Sequence, residues 1–165
     1  MNSSKRSLAA LGAIAAAVIA SGCQKSAAGA DPGAIATAIK ADEKKWSDEF
    51  QAKPRSVDAL VAHYAHDALF ISPGVGPTRG LEDIRKAYEA GLKDPNFNIT
   101  FAPDTVDVAE AGDMAVSEGR FTETYSDPAT KRPKSDNGTF LTVYRKQPDG
   151  SWKAVQDWAV ADPAG

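Results

Sequence analysis

Few side chains in this chain have the type and spacing that chemistry requires. His63 and His66 stand i, i+3 in a stretch that reads as helical, so they would share one face. No acidic ligand motif accompanies them, and the chain's single cysteine, Cys23, cannot complete a cysteine-based zinc site or an intramolecular disulfide. The pair reads as surface or rim histidines, with an acid–base role as the alternative. Pro73–Gly80 (PGVGPTRG) is rich in glycine but lacks both the spacing and the lysine of a phosphate loop, and no dinucleotide fingerprint is present. Basic clusters are short (Lys44-Lys45; Lys131-Arg132 with Lys134), acids flank them, and the formal charge is −3. No basic stripe is available to neutralise phosphates, which excludes a nucleic-acid partner. Neither a metal nor a cofactor motif is visible.

Cys23 has a different chemistry. Lys5 and Arg6 precede a 13-residue apolar run, Leu8–Ala20, which is shorter than the roughly 20 residues a spanning helix needs. Ala20-Ser21-Gly22-Cys23 follows, and the whole resembles a bacterial lipoprotein signal peptide. The resemblance implies cleavage after residue 22 and lipidation of Cys23. Several acyl chains, each methylene contributing about 0.8 kcal/mol, then anchor the protein to a membrane. Gln24, in place of aspartate after the cysteine, implies the outer membrane, with the protein facing the periplasm. Residues 23–33 are small and polar and read as a tether. The domain proper is then 34–165.

Within it, apolar spacing predicts a helix over 34–51, with Ile35, Ile39, Trp46 and Phe50 on one face and Asp42, Glu43, Lys44 and Asp48 on others. Ser56 caps a second helix predicted over 57–66. Residues 68–72 form a short strand, 73–80 a loop, and 81–93 a third helix carrying Ile84, Tyr88 and Leu92. From residue 97 the period falls to two. Strands are expected over 98–102, which 105–110 continues or follows as the next, and over 114–125 with a bulge at Gly119, followed by an exposed loop over 126–137. Two closing strands, 139–146 and 152–160, flank Gln147-Pro148-Asp149-Gly150, a turn whose proline and glycine suit a tight reversal. This aromatic hairpin is expected in the middle of the sheet. Helices first and strands after give an α+β fold: three N-terminal helices packed on a curved antiparallel sheet that leaves a cone-shaped pocket.

Two segments carry a resemblance to a known family. HYAHDALFISPGVGPTRGLEDIRKAY (63–88) is similar to the helix, strand, glycine-rich loop and helix of SnoaL-like and ketosteroid-isomerase-like domains in the nuclear-transport-factor-2-like superfamily. GTFLTVYRKQPDGSWKAVQDW (138–158) is similar to their closing hairpin. The resemblance covers about residues 34–162. Enzymes of the superfamily place Asp, Tyr or His side chains in the cone, where an apolar lining raises an acid's pKa toward neutrality. It thus implies His63, Asp67 and Asp157 as acid–base candidates, with Trp46, Phe50, Tyr64, Phe70, Tyr88, Glu118, Tyr144 and Trp158 around the pocket. His66 stands beside them. The face of Asp157 decides its role: it alternates with Val155 and Ala159, opposite Gln156 and Trp158. No complete isomerase dyad carries over.

Two functions follow. The first is a membrane-anchored periplasmic domain that holds a small apolar or aromatic molecule, or presents its sheet to a protein partner or a second copy of itself. The second is an isomerase, dehydratase or cyclase using a cone carboxylate or histidine as general acid–base.

Overall fold

A computed structural model describes residues 31–163. Cys23, the signal segment and most of the tether lie outside the described residues. The elements run α1 (Pro32–Gln51), α2 (Val57–Val61), β1 (Tyr64–Ile71), β2 (Thr78–Arg79), α3 (Leu81–Gly91), β3 (Asn98–Val108), β4 (Met114–Ser126), β5 (Pro133–Lys146) and β6 (Trp152–Ala161). The α+β order holds: three helices, one of them long, and a six-stranded sheet in the order β2-β1-β6-β5-β4-β3. The β5–β6 hairpin does occupy the middle. The sheet is mixed, because β1 runs parallel to β6 while the other neighbours are antiparallel.

α1 starts at Pro32, two residues earlier than its apolar period suggests. The Asp31 carboxylate accepts from the Gly33 amide at 3.1 Å, and proline fits the first turn, where its missing N–H has no partner to lose. Its buried stripe is Ile35, Ile39, Glu43, Trp46, Ser47 and Phe50. Glu43 therefore faces the core rather than solvent. It falls at i+8 from Ile35 and i+4 from Ile39, and the Ser117 and Tyr144 hydroxyls satisfy it at 2.9 Å each. The C-terminal half of α1 grips β3: the Phe101 amide donates to Ser47 Oγ and Gln51 Nε2 donates to the Ile99 carbonyl.

The second helix is much shorter than expected. Ser56 caps it, but it stops at Val61, and Tyr64 opens β1. Parallel pairing with β6 wins there, beginning with the Ala154 amide on the His63 carbonyl at 2.9 Å. The third helix ends at Gly91, short of Lys93, and the 73–80 loop contains the two-residue strand β2. Residues 98–108 form one strand, and Pro133–Asn137 are strand rather than loop. Their polar side chains pair with the end of β4: Thr122 Oγ1 donates to Asn137 Oδ1 at 2.7 Å, and Tyr125 OH to Asp136 at 2.5 Å.

Register shifts interrupt three ladders, β3–β4, β5–β6 and β1–β6, the last between Tyr64 and Leu69. One leaves Asp104 unpaired between Pro103↔Gly119 and Thr105↔Glu118, so the bulge lies on β3 and not at Gly119, whose own ladder to β5 is unbroken. A Cβ on Gly119 would lie 2.1 Å from the Ala102 carbonyl oxygen and 2.8 Å from Phe140. Gly119 is there because backbone approaches it closely. The second irregularity leaves Val155 unpaired on β6, between Val143↔Gln156 and Tyr144↔Ala154. Gly119→Ala is expected to lose about 3 kcal/mol of unfolding free energy or more, since the clash is with main chain that cannot swing away; urea denaturation measures it.

Candidate functional site

The inner face of the sheet and helices α1 and α3 enclose a narrow cavity of about 50 Å³. Helices supply Trp46, Phe50 and Tyr88 to its walls, and strands supply Phe70, Phe101, Phe121 and Phe140. Strand alternation turns the phenylalanines inward, and Gly138 opposite Phe121 leaves room for that ring: a Cβ there would meet it at 2.4 Å. A vestibule of about 290 Å³ adjoins the cavity, sharing Phe70, Ser72, Tyr88, Ile99 and Glu123 with it, and its outer wall is Gly74, Val75, Gly91 and Phe97. The glycine-rich loop thus forms one side of the entrance.

Asp157 lies on the cavity wall, between Phe70 on β1 and Thr142 on β5. The Val155 bulge resets the alternation of β6, so that Ala154, Asp157 and Ala159 all serve the inner face while Gln156 and Trp158 point out. Tyr64 OH donates to Asp157 Oδ2 at 2.5 Å, and Thr142 Oγ1 approaches Oδ1 at 3.5 Å. Tyr88 OH lies 2.9 Å from Tyr64 OH. A phenol has one proton; with that of Tyr64 given to Asp157, Tyr88 donates to Tyr64. The result is a relay from α3 through β1 to β6. Burial pushes the Asp157 carboxyl up, the hydroxyls of Tyr64 and Thr142 partly offset it, and it titrates at about 6. Burial and the negative Asp157 beside them hold both tyrosines above the ordinary phenol range, so they remain donors.

A second acid reaches the same space. Glu123, in phase with Phe121 on β4, lines both cavity and vestibule. Burial, then the charge of Asp136 across the strand pair, raises it to about 7. Glu123 was not among the candidates read from the sequence, although its i+2 relation to a phenylalanine was the available signal. Glu43, also missed, sits behind the cavity. Burial raises it to about 7 despite hydrogen bonds from Ser117 and Tyr144, and the charges of Asp157 and Asp42 add to the rise.

The other candidates are dispersed. His63 is buried behind Trp46, stacked on its ring at 4.8 Å and held at 2.9 Å by Asp42 through Nδ1 and by Glu49 through Nε2. It is a structural clasp between α1 and the start of β1, away from the cavity lining. Burial would raise Asp42, but the hydrogen bond and charge of His63 bring it below the ordinary carboxylate range. Of the two histidines read as surface or rim residues, His66 is exposed on β1 while His63 is buried; Asp67 is exposed beside His66 and paired with Arg145 Nη2 at 2.9 Å. Glu118 faces solvent and accepts from Thr105; the expected bulge at Gly119, which would have turned it inward, is absent. Trp158 is 40% exposed on the outer face. Tyr144 is fully buried against Glu43, lining a different hollow beside Ile39 and Trp152. Among the described residues no group of three or more His, Cys, Asp and Glu side chains is placed to hold a metal ion.

The chain matches none of the curated proteins. Solved structures share its fold. A putative calcium/calmodulin-dependent protein kinase II association domain from Xanthomonas campestris superposes with a TM-score of 0.61 at 21% identity, over 76% of this chain and 86% of that one. A ketosteroid isomerase-like protein from Erwinia carotovora atroseptica gives 0.61 at 20% identity, over 76% and 97%. A nuclear transport factor 2-like superfamily protein from Salmonella enterica gives 0.54 at 18%, over 76% and 94%. At such identities the likeness is one of fold alone. The SnoaL-like domain family matches residues 44–155, more than half of the chain, and with the cone, its hairpin and its inward acid in place, the protein belongs to the SnoaL-like domain family.

Proposed function

We propose that this protein is a lipid-anchored domain of the bacterial envelope that binds a small, largely apolar molecule in its cone. The observation that carries the reading is one cavity with seven aromatic side chains in its walls and an inward carboxylate. Apolar walls hold the body of a ligand, while Asp157 and Glu123 fix its orientation. Anchoring rests on the lipoprotein-like segment ending in Ala20-Ser21-Gly22-Cys23, and the periplasmic outer-membrane address on Gln24. The outer face of the sheet carries a contiguous apolar stripe, Val116, Leu141, Trp158 and Val160, each at least 37% exposed, which suits a second copy of the chain. A native mass spectrum of the protein purified gently from its own host is expected to show a bound small molecule and a dimer mass. Ligand-free protein in every preparation would remove the binding reading. Cys23→Ala is expected to move the protein from the membrane to the soluble envelope fraction and to abolish labelling by palmitate; retention on the membrane would remove the anchor.

A second reading, an acid–base enzyme of the isomerase, dehydratase or cyclase kind, is favoured by one specific arrangement. Asp157 titrates near neutrality at the cavity wall, backed by two phenols that stay protonated. Its ionised form takes a proton from a ligand and its neutral form returns one. The Tyr64 hydroxyl stabilises the ionised form, so its removal favours the neutral one. Tyr64→Phe is therefore expected to raise Asp157 above about 6, and carboxyl ¹³C NMR titration reads the shift. An unchanged or lowered value would break the relay.

A further inference from the structure

Several carboxylates elsewhere on this molecule meet basic side chains. Asp67 meets Arg145, Asp58 meets Arg85, Asp162 meets Arg120, and Asp42 meets His63. The two acids of the cone do not. No lysine, arginine or histidine lies among the described residues that line the cavity or the vestibule. Asp157 is faced by the hydroxyls of Tyr64 and Thr142, with Tyr88 and Glu43 close enough for their titration to register its charge. Glu123 is faced by Asp136, which is itself engaged by Tyr125 and Lys134, and Tyr88 registers the charge of Glu123 as well. Tyr88 thus stands within the field of both acids. The remaining walls are mostly aromatic rings, whose π-faces also attract positive charge. The two acids and the aromatic rings of the lining favour a cation, and the lining residues supply none.

We infer that the cone takes a protonated amine, an organic ammonium ion on a small apolar or aromatic body, with the nitrogen set against Asp157 and Glu123 and the body against the aromatic walls. The inference rests on the reading of the cone as a ligand site and names the class of ligand. An anion would meet two like charges in a low-dielectric space. A neutral molecule would leave both acids to be neutralised by protons. An ammonium ion forms charge-assisted N–H···O bonds to the carboxylates, and any proton still held by either acid passes to solvent as the complex forms. Affinity therefore falls as pH drops through about 7 and then about 6, where Glu123 and Asp157 become neutral.

The test compares benzylammonium, benzyl alcohol and benzoate, similar in size and differing in charge, by calorimetric titration of the full chain in mild detergent at pH 8 and pH 5. Benzylammonium is expected to bind at least about tenfold more tightly than benzyl alcohol at pH 8, with benzoate weakest. The preference should shrink at pH 5. It should also shrink in Asp157→Asn and in Glu123→Gln, with the circular dichroism spectrum and thermal unfolding of each variant as the control for an intact fold. Proton release, read from the buffer dependence of the heat, should accompany benzylammonium alone. Benzyl alcohol binding as tightly as benzylammonium overturns the amine inference and leaves the ligand-binding cone standing. If none of the three binds, the inference and that reading fall together.

Discussion

A carboxylate placed among aromatic rings must be given donors, and the way this protein gives them to Asp157 accounts for much of its architecture. The principal donor, Tyr64, belongs to β1 and reaches Asp157 on β6 only because those strands run parallel and adjacent. Tyr88 belongs to α3 and completes the line. Three elements far apart in sequence thus converge on one oxygen. Leaving such a group unsatisfied would cost about 1–3 kcal/mol or more, so the bonds hold β1, β6 and α3 together while they hold the acid. The same bonds set its chemistry: burial drives the carboxyl up and the hydroxyls restrain the rise, which leaves it near neutrality.

The interior is more polar than its aromatic content suggests. Glu43, Ser117 and Tyr144 form a closed set behind the cavity, and His63 sits between Asp42 and Glu49 against Trp46. Each set ties α1 to the strands beside it, and each is satisfied from within the protein. Asp157 and Glu123 differ because one side of each opens on empty space. Access to the cavity, rather than residue type, separates these two acids from Glu43, Asp42 and Glu49.

The sheet's two faces have separate tasks. Inward residues of β4, β5 and β6 build the cavity, and outward residues form an apolar stripe. A single unpaired residue, Val155, decides which β6 side chains belong to which face. Without it the strict alternation from Ala154 would send Asp157 to the outer surface and Trp158 into the cone. The placement of the candidate site therefore depends on a backbone irregularity and not on any special property of the aspartate.

Local signals were sufficient for part of this. Apolar spacing in α1 and α3, the Ser56 cap, the Pro148–Gly150 turn and the change of period after residue 97 marked the helices, the hairpin and the α+β order, because these features are written in neighbouring residues. The i, i+4, i+8 row of Ile35, Ile39 and Glu43 was a signal passed over because its last member is charged, which set Glu43 among the outward residues. Tertiary pairing decided the rest. Tyr64, read as part of a helix ending at 66, opens a strand because β6 pairs with it at Ala154, and residues 65–68 cross a register shift before pairing resumes at Leu69. The polar run 133–137 became strand because β4 extended to meet it. Bulges at Asp104 and Val155 arise between strands and leave no mark in either strand alone, so the faces of Glu118, Asp157 and Trp158 were settled only when the ladders closed. What the sequence by itself determined was the set of elements and the chemistry available to them; which acids share one cavity was decided by strand register, a property of pairs of strands that neither strand encodes by itself.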